Sequence, residues 1–493
     1  MEGPNSSGQP RRAPSARQLL LVIVSATFLT TFTGSMINVA IPVIRAEFDA
    51  SPALIGWVVT GYLLAYAVGV PILGRASDRY GVRRLFVIGL SGFAAGAIVC
   101  AVAPSLPVLV LGRILQGCAG AAVPALSTVA VARTFPPGSR GGALGMITST
   151  VGLGQSVGPI VGGALGEWLG WRGLFGIPIT LALALIPLAL RSLPDGRAAH
   201  PRRFDAAGGL LLAMSAGLFL FSITRGQTLG FTAFSSWGSL LVALVAAAAL
   251  VWRSKRVAHP FVPLGLFRNR TYVAALSVAP VAMFVSLSVL MLVPLLVVEV
   301  NGLSSSATGM VLAPQAAAVA LISPFMGRLS DRVGVRRPIL VGLGVLMLTV
   351  AALSTWAGVS PAVIAVLMAC LGTGLACVQS PTNNAAANSL PEEDVGAGMG
   401  LYQGTGFLMG AAGPAITGAL LAARQEAHSS AWNPAYRLEA VPFSDVFLAL
   451  LLLLLVALMA ARRLPGAARA GGQARAVEGR PAPALAEVQK ELR

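Results

Sequence analysis

The sequence predicts an all-α integral membrane protein with 14 transmembrane helices, built as two six-helix pseudo-repeats plus an inserted helix pair. Three observations carry this. Mean hydropathy is +0.78 and only 11% of residues are charged, against about a quarter in soluble domains. Fourteen apolar runs each approach or exceed the ~20 residues that cross a bilayer as helix. One basic, glycine-bounded segment, Gly74 to Arg84, returns as Gly327 to Arg337 with nine of eleven positions unchanged.

The runs fall at about 18–43, 54–74, 85–104, 106–132, 142–166, 173–192, 207–224, 236–252, 273–298, 307–326, 338–358, 361–386, 396–422 and 444–461. They divide the chain into a polar N-terminus (1–17), an N-terminal six-helix bundle (18–192), an inner linker with the inserted pair (193–256), a C-terminal six-helix bundle (257–463) and a tail (464–493). The tail is rich in Ala, Gly, Pro and Arg and is expected to be largely disordered. The first run is too long for a signal-peptide core and no small-residue cleavage site follows, so it is taken as a retained span. An even count puts both termini on one side. If that side is cytoplasmic, only Arg45, Arg172, Arg225, Arg424 and Arg437 face outward. Arg113 lies within a span, and the rest of the 35 Lys and Arg face inward. Short cytoplasmic loops retain basic residues, so this asymmetry sets the orientation.

Composition also excludes functions. A net charge of +17 in a soluble chain would point to nucleic acid; here it is spread among short loops, and no nucleic-acid partner is expected. Cys100, Cys118, Cys370 and Cys377 sit inside apolar runs with no metal or disulfide spacing. No nucleophile–base pair, metal motif or phosphate loop is present, so neither an enzyme, a cofactor nor a metal is expected.

The repeat extends beyond the basic segment. Gly158-Pro159-Ile160-Val161-Gly162-Gly163-Ala164-Leu165 in span 5 matches Gly413-Pro414-Ala415-Ile416-Thr417-Gly418-Ala419-Leu420 in span 13 at five of eight positions. Spans 1–6 and 9–14 are therefore equivalent and spans 7–8 inserted. Parallel half-repeats place a substrate between them near the midplane. Asp78 and Asp331 precede helices, where a carboxylate satisfies free N–H groups and favours the positive helix end. Arginines beside them can pair with the Asp or with anionic head groups.

Within spans, Arg113 is the charge that stands out. A guanidinium at that depth is costly unless paired or hydrated, which marks it as functional; snorkelling to an interface is the alternative. Its equivalent in the second half is Met368. In span 5, Gly154, Gly158 and Gly162 recur every four residues on one face, so a neighbouring helix can approach closely, while Pro159 frees a carbonyl and allows a bend. Polar positions that can line a cavity are Thr31, Ser35 and Asn38 in span 1, Gln116 in span 4, Gln155 in span 5, Gln379, Thr382 and Asn383 in span 12, and Tyr402 with Gln403 in span 13. Interhelical hydrogen bonds account for each singly about as well.

These residues carry a resemblance. The segment at Gly74 matches the G-x-L-x-D-R-x-G-R-R loop of the major facilitator superfamily, with Ala76 in place of Leu. Gly112 to Ala121 resembles the R-x-x-Q-G-x-G-A motif of exporters. Gly145, Gly154, Gly158, Pro159, Gly162 and Gly163 fit the antiporter motif G-x8-G-x3-G-P-x2-G-G. Asn38-Val39-Ala40-Ile41-Pro42 resembles fourteen-span drug exporters. His259-Pro260-Phe261-Val262-Pro263-Leu264-Gly265-Leu266 and Gly396-Ala397-Gly398-Met399 resemble the fourteen-span tetracycline exporters. The resemblance covers nearly the whole chain. It implies a conformational latch at Gly74, Asp78, Arg79, Gly81, Arg83, Arg84, Gly327, Asp331, Arg332 and Gly334. It further implies a monomer in a bacterial cytoplasmic membrane that exports a small amphipathic molecule, an antibiotic or secondary metabolite, in exchange for protons.

Two departures bear on coupling. Thr33 stands where many such exporters carry Asp, and Gly410 where the tetracycline type carries Glu. The Asp, Glu and His residues are all assigned outside span cores, Glu167 and Glu299 coming closest. Proton coupling needs a group that changes charge within the membrane. A cavity with Arg113 and no acid suits neutral or anionic substrates. A facilitator or symporter of another small solute, and a non-transporting membrane sensor, are the alternatives.

Overall fold

The computed structural model describes residues 16–136, 138–194, 205–230, 232–427 and 430–464. Most of the expected N-terminus and tail, and residues 195–204 of the linker, lie outside that set. The described residues contain long helices and no strand. In chain order the helices are α1 (Ala16–Glu47), α2 (Trp57–Tyr80), α3 (Val82–Ala101), α4 (Leu106–Thr134, continuous in direction across Ala121), α5 (Arg140–Leu174), α6 (Gly176–Ser192), α7 (Ala206–Leu229), α8 (Phe234–Arg256), α9 (Arg270–Glu299), α10 (Ser305–Val333), α11 (Arg336–Thr355), α12 (Pro361–Ser389), α13 (Val395–Ala427) and α14 (Val441–Ala461). Twelve are long and apolar enough to cross a membrane alone; α5 and α6 pass together, bent by 68°. Gly170, at φ 67°, interrupts the helical path before that bend. Beyond it the two helices part company, α5 packing on α1 and α10 and α6 mainly on α3.

The sequence repeat is a packing repeat. In the first half α1 packs on α5, α2 and α3 on α4, and α3 on α6; in the second, α9 packs on α13, α10 and α11 on α12, and α11 on α14. Between halves, α2 meets α13 and α5 meets α10, one contact being the other with its repeats exchanged. Lipid supplies no hydrophobic drive for helices to associate, so small residues that admit close backbones take over; the contacts are accordingly rich in Gly and Ala. The inserted pair is peripheral. Only 22% of the apolar window of α8 is buried, against 56% in α1 and α9. Large side chains such as Leu241, Leu244 and Trp252 of α8 point away from the protein.

One boundary differs from expectation. Span 2 was placed at 54–74 with a basic loop after it. Instead α2 runs to Tyr80, α3 starts at Val82, and Gly81 alone makes the turn at φ 80°. Gly334 does the same between α10 and α11 at φ 81°. An apolar count stops at the first charges, whereas the helix continues because those charges find partners. Only glycine takes a positive φ without strain, which explains both glycines in the repeated segment.

Candidate functional site

The turns at Gly81 and Gly334 mark one end of the bundle, here called the basic end, and the two halves close on each other there. Asp78 does not cap the helix that follows it. Its carboxylate accepts the backbone N–H of Gly396 at 3.0 Å and of Ala397 at 3.1 Å, at the start of α13 in the other half. Arg133 of α4 donates to it at 2.8 Å and Arg75 at 3.2 Å. Asp331 mirrors this, accepting from Gly141 at 3.0 Å and Gly142 at 3.1 Å at the start of α5. The first turn of a helix has N–H groups without internal partners. Ser139 offers α5 no side-chain cap, so that helix is capped from across the interface.

Glycines set the approach. A Cβ on Gly74 would lie 2.6 Å from the Gly400 Cα, and one on Gly327 would strike the Gly141 carbonyl. Of the other residues implied as latch, Arg83 donates to the Leu193 carbonyl at 2.7 Å within its own half. Arg79, Arg84 and Arg332 are exposed and lie outside this interface. Arg75, Arg133, Gly141, Gly142, Asn384 and Gly400 also meet at this interface and were not singled out from sequence. A signal for some existed: Gly141-Gly142 and Gly396-Ala397 stand at the same offset as Gly158 and Gly413.

In the first half Arg113 is fully buried, which excludes snorkelling. It donates to the Gln116 Oε1 at 2.6 Å and the Val58 carbonyl at 3.1 Å, and its guanidinium sits 4.1 Å from the Tyr62 ring centre. Gly117 makes this possible, since any side chain there would strike the Tyr62 carbonyl. Tyr62 stacks on Tyr66 at 5.6 Å, and Tyr66 meets Phe407 of α13 edge-on at 4.9 Å. Arg113 thus stands behind α2 rather than on an open wall, at one end of an aromatic column that reaches the other half. Met368, its equivalent, is also fully buried.

The α5 glycines serve two neighbours. Gly145 faces the Ser323 carbonyl and Pro324 of α10, whereas Gly154, Gly158 and Gly162 face Thr31, Ser35 and Met36 of α1. Gly163 has only Val39 nearby, at 3.8 Å, and Pro159 is exposed. The hydroxyls of Thr31 and Ser35, taken as cavity lining, are engaged in this packing. Thr31 donates to the Thr27 carbonyl at 2.8 Å and Ser35 to the Gly154 carbonyl at 3.0 Å.

A sequence profile described as Major Facilitator Superfamily matches residues 23–414. The chain belongs to that superfamily. It is a membrane-spanning transporter, not an enzyme. Among similar proteins, Multidrug resistance protein Stp of Mycobacterium tuberculosis is 32% identical over 82% of this transporter and 76% of its own length. The Tetracenomycin C resistance and export protein of Streptomyces glaucescens is 29% identical over 82% and 76%. Riboflavin transporter RibZ of Clostridioides difficile is 28% identical over 77% and 82%. The crystal structure of the human organic anion transporter MFSD10 (TETRAN) superposes with a TM-score of 0.63 at 16% identity, covering 91% of this chain and all of that one, which shows a shared fold.

In the transporter's second half, Tyr402 donates to Thr382 at 3.0 Å and Gln379 contacts the Met283 sulfur at 3.1 Å. Asn383 is buried with its carbonyl oxygen unpaired. Gln315 of α10, missed from sequence, donates to Ser286 at 3.0 Å and also leaves an oxygen unpaired. Gln403 is half-buried, and Asn38 and Gln155 are exposed. Toward the far end a cavity of about 390 Å³ opens between α2, α7, α9 and α13, lined by Thr60, Leu64, Thr224, Met291, Gly410 and Pro414 among others.

The two departures have physical reasons. Thr33 is fully buried and donates to the Leu29 carbonyl at 2.7 Å. A Cβ on Gly410 would meet the Met283 and Leu287 side chains at 3.0 Å, so a larger residue there would press on α9 beside the cavity. One assignment needs correcting. Asp445 lies inside α14 and is fully buried, not outside the spans. It sits near the far end of that helix, paired with Arg424 and accepting the Trp432 N–H at 2.7 Å. It is an anchor for the far-end loop.

Proposed function

We propose that this transporter exports small amphipathic compounds, neutral or anionic, across a bacterial cytoplasmic membrane by alternating access. The basic end is the cytoplasmic side, both termini lie inside, the unit is a monomer, and the state described here is closed inward. The observation that carries alternating access is the reciprocal capping at the basic end, where each half supplies the carboxylate that completes a helix of the other. Hydrogen bonds between the halves cluster there, while the α2–α13 seam widens into the cavity toward the far end. Relatives named for multidrug resistance and for export support the direction, as does the complete α5 motif. Proton exchange is the coupling that motif implies. A second reading, facilitated passage or symport of another solute, is favoured by the riboflavin transporter among the relatives and by the acid-free positions Thr33 and Gly410.

A susceptibility panel tests the export reading. Cells carrying the protein should need several-fold more of at least one amphipathic antibiotic. Asp78→Asn should remove that protection at equal membrane abundance. A panel without any shift, or full protection by Asp78→Asn, refutes it. Cysteines at Ser139 and Glu439 in a Cys-free background should label from opposite sides of intact cells; labelling of both from outside refutes the orientation.

A further inference from the structure

The segment after α8, His259 to Leu266, resembles that of tetracycline exporters, yet the latch and cavity leave it without a role. The structure places it against three separate units. Asp205, at the start of α7, caps its own helix through the Gly208 N–H at 2.9 Å. It also holds Arg253 of α8 at 2.8 Å and accepts the Phe261 N–H at 3.3 Å. One residue back, the Pro260 carbonyl accepts Arg75 of α2 at 3.1 Å. Arg75 in turn donates to Asp78 and stands 3.8 Å from Asp394, just before α13. The Phe261 side chain is buried against Gly208 and Gly209 of α7.

We infer that residues 259–263 are a strap fastening the inserted helix pair to the closed latch, with Arg75 as the pin and Asp205 as the anchor. The contact on Pro260 is to a backbone carbonyl, so it holds only while α2 and the strap keep their present relation. When the basic end opens, α2 moves relative to α13, and Arg75 cannot keep Asp78, Asp394 and Pro260 together. The inserted pair, lipid-facing over most of its surface, thereby stabilises the inward-closed state. Asp205 suits the task electrically. Burial works against its charge, but the Gly208 amide, Arg253 and the Phe261 amide outweigh it and hold the carboxyl below its ordinary range. These are positioning residues; none need touch cargo. Losing one hydrogen bond to a charged group shifts a two-state population about tenfold.

The inference rests on the latch reading above. Spin labels at Ser139 and Arg337, one in each half at the basic end, report closure in the full-length protein without substrate. Asp205→Asn and Arg253→Gln should each raise the open fraction about five- to tenfold. Arg253→Gln should add little to Asp205→Asn, because both release the same anchor, whereas Arg75→Gln should exceed either, because it also removes a donor to Asp78. Ser222→Ala, which loosens the inserted pair where Ser222 and Ser236 exchange hydrogen bonds, should change thermal stability but not the distances. Wild-type distances in folded Asp205→Asn, or an equal shift in Ser222→Ala, overturn the strap. If Asp78→Asn also leaves the distances unchanged, the latch reading fails and the strap falls with it.

Discussion

At Asp78 one carboxylate is shared by two guanidiniums and two helix amides; at Asp331 the two corresponding helix amides are joined by an amide side chain. Arg133 has Asn388 as its repeat equivalent. Asn384 donates to Asp331 at 2.9 Å, Asn388 donates to Asn384 at 2.8 Å, and Arg140 donates to Asn388 at 3.0 Å. The Asp331 site therefore meets its arginine only through two asparagines. Both carboxylates accept charge-assisted bonds, but only Asp78 also has guanidiniums as donors, so two sites of one geometry differ in strength. The lesson is that duplication preserved the carboxylate-to-helix cap while electrostatics drifted.

Five substitutions would break or sharpen that contrast. The largest effect is expected from Asp78→Asn, which strands Arg75 and Arg133 at the interface; transport should fall ~30-fold, equivalent to about 2 kcal/mol. Asp331→Asn keeps an acceptor for the amides and should cost about threefold. Equal losses in transport assays at matched abundance would erase the distinction. Arg133→Asn converts the first latch toward the second and should cost about tenfold. In that background Asp78→Asn should add far less than it does alone, a coupling a double-mutant cycle measures directly. Gly74→Ala tests the backbone approach rather than the charge. Overpacking costs about 1–3 kcal/mol, and the spin-label distances should shift toward the open state. The smallest effect belongs to Gly163→Ala, whose neighbour leaves room; transport within twofold of wild type is expected, and a large loss would give that glycine a role beyond packing.

Much of the fold was legible because membrane helices announce themselves by length and charge asymmetry. The repeat was equally plain, and it paired the two halves correctly. Partners were harder to read. Sequence logic caps a helix with the residue just before it, so Asp78 was assigned to α3, whereas the chain uses it some three hundred residues away on α13. Thr31 and Ser35 pointed to a polar cavity by type; only packing shows that Gly154 and Gly158 bring α1 close enough to occupy them. Asp445 was placed outside the spans, although a second-turn acid remains buried when Arg424 reaches back to it. Pro260 and Phe261 act through backbone groups, which residue identity does not reveal.

The glycine contacts at Gly74–Gly400 and Gly141–Gly327 bear on leakage. A transporter open at both ends would dissipate every gradient the cell maintains. Side chains at a gate hop between rotamers on picosecond to nanosecond times, and each hop is a chance for water or an ion to slip past. Backbone against backbone has no rotamers to change. Dispersion attraction also falls steeply within the first ångström of separation, so such a seam has little to hold it half-parted. The basic end should accordingly be either sealed or open, with almost no conducting intermediate.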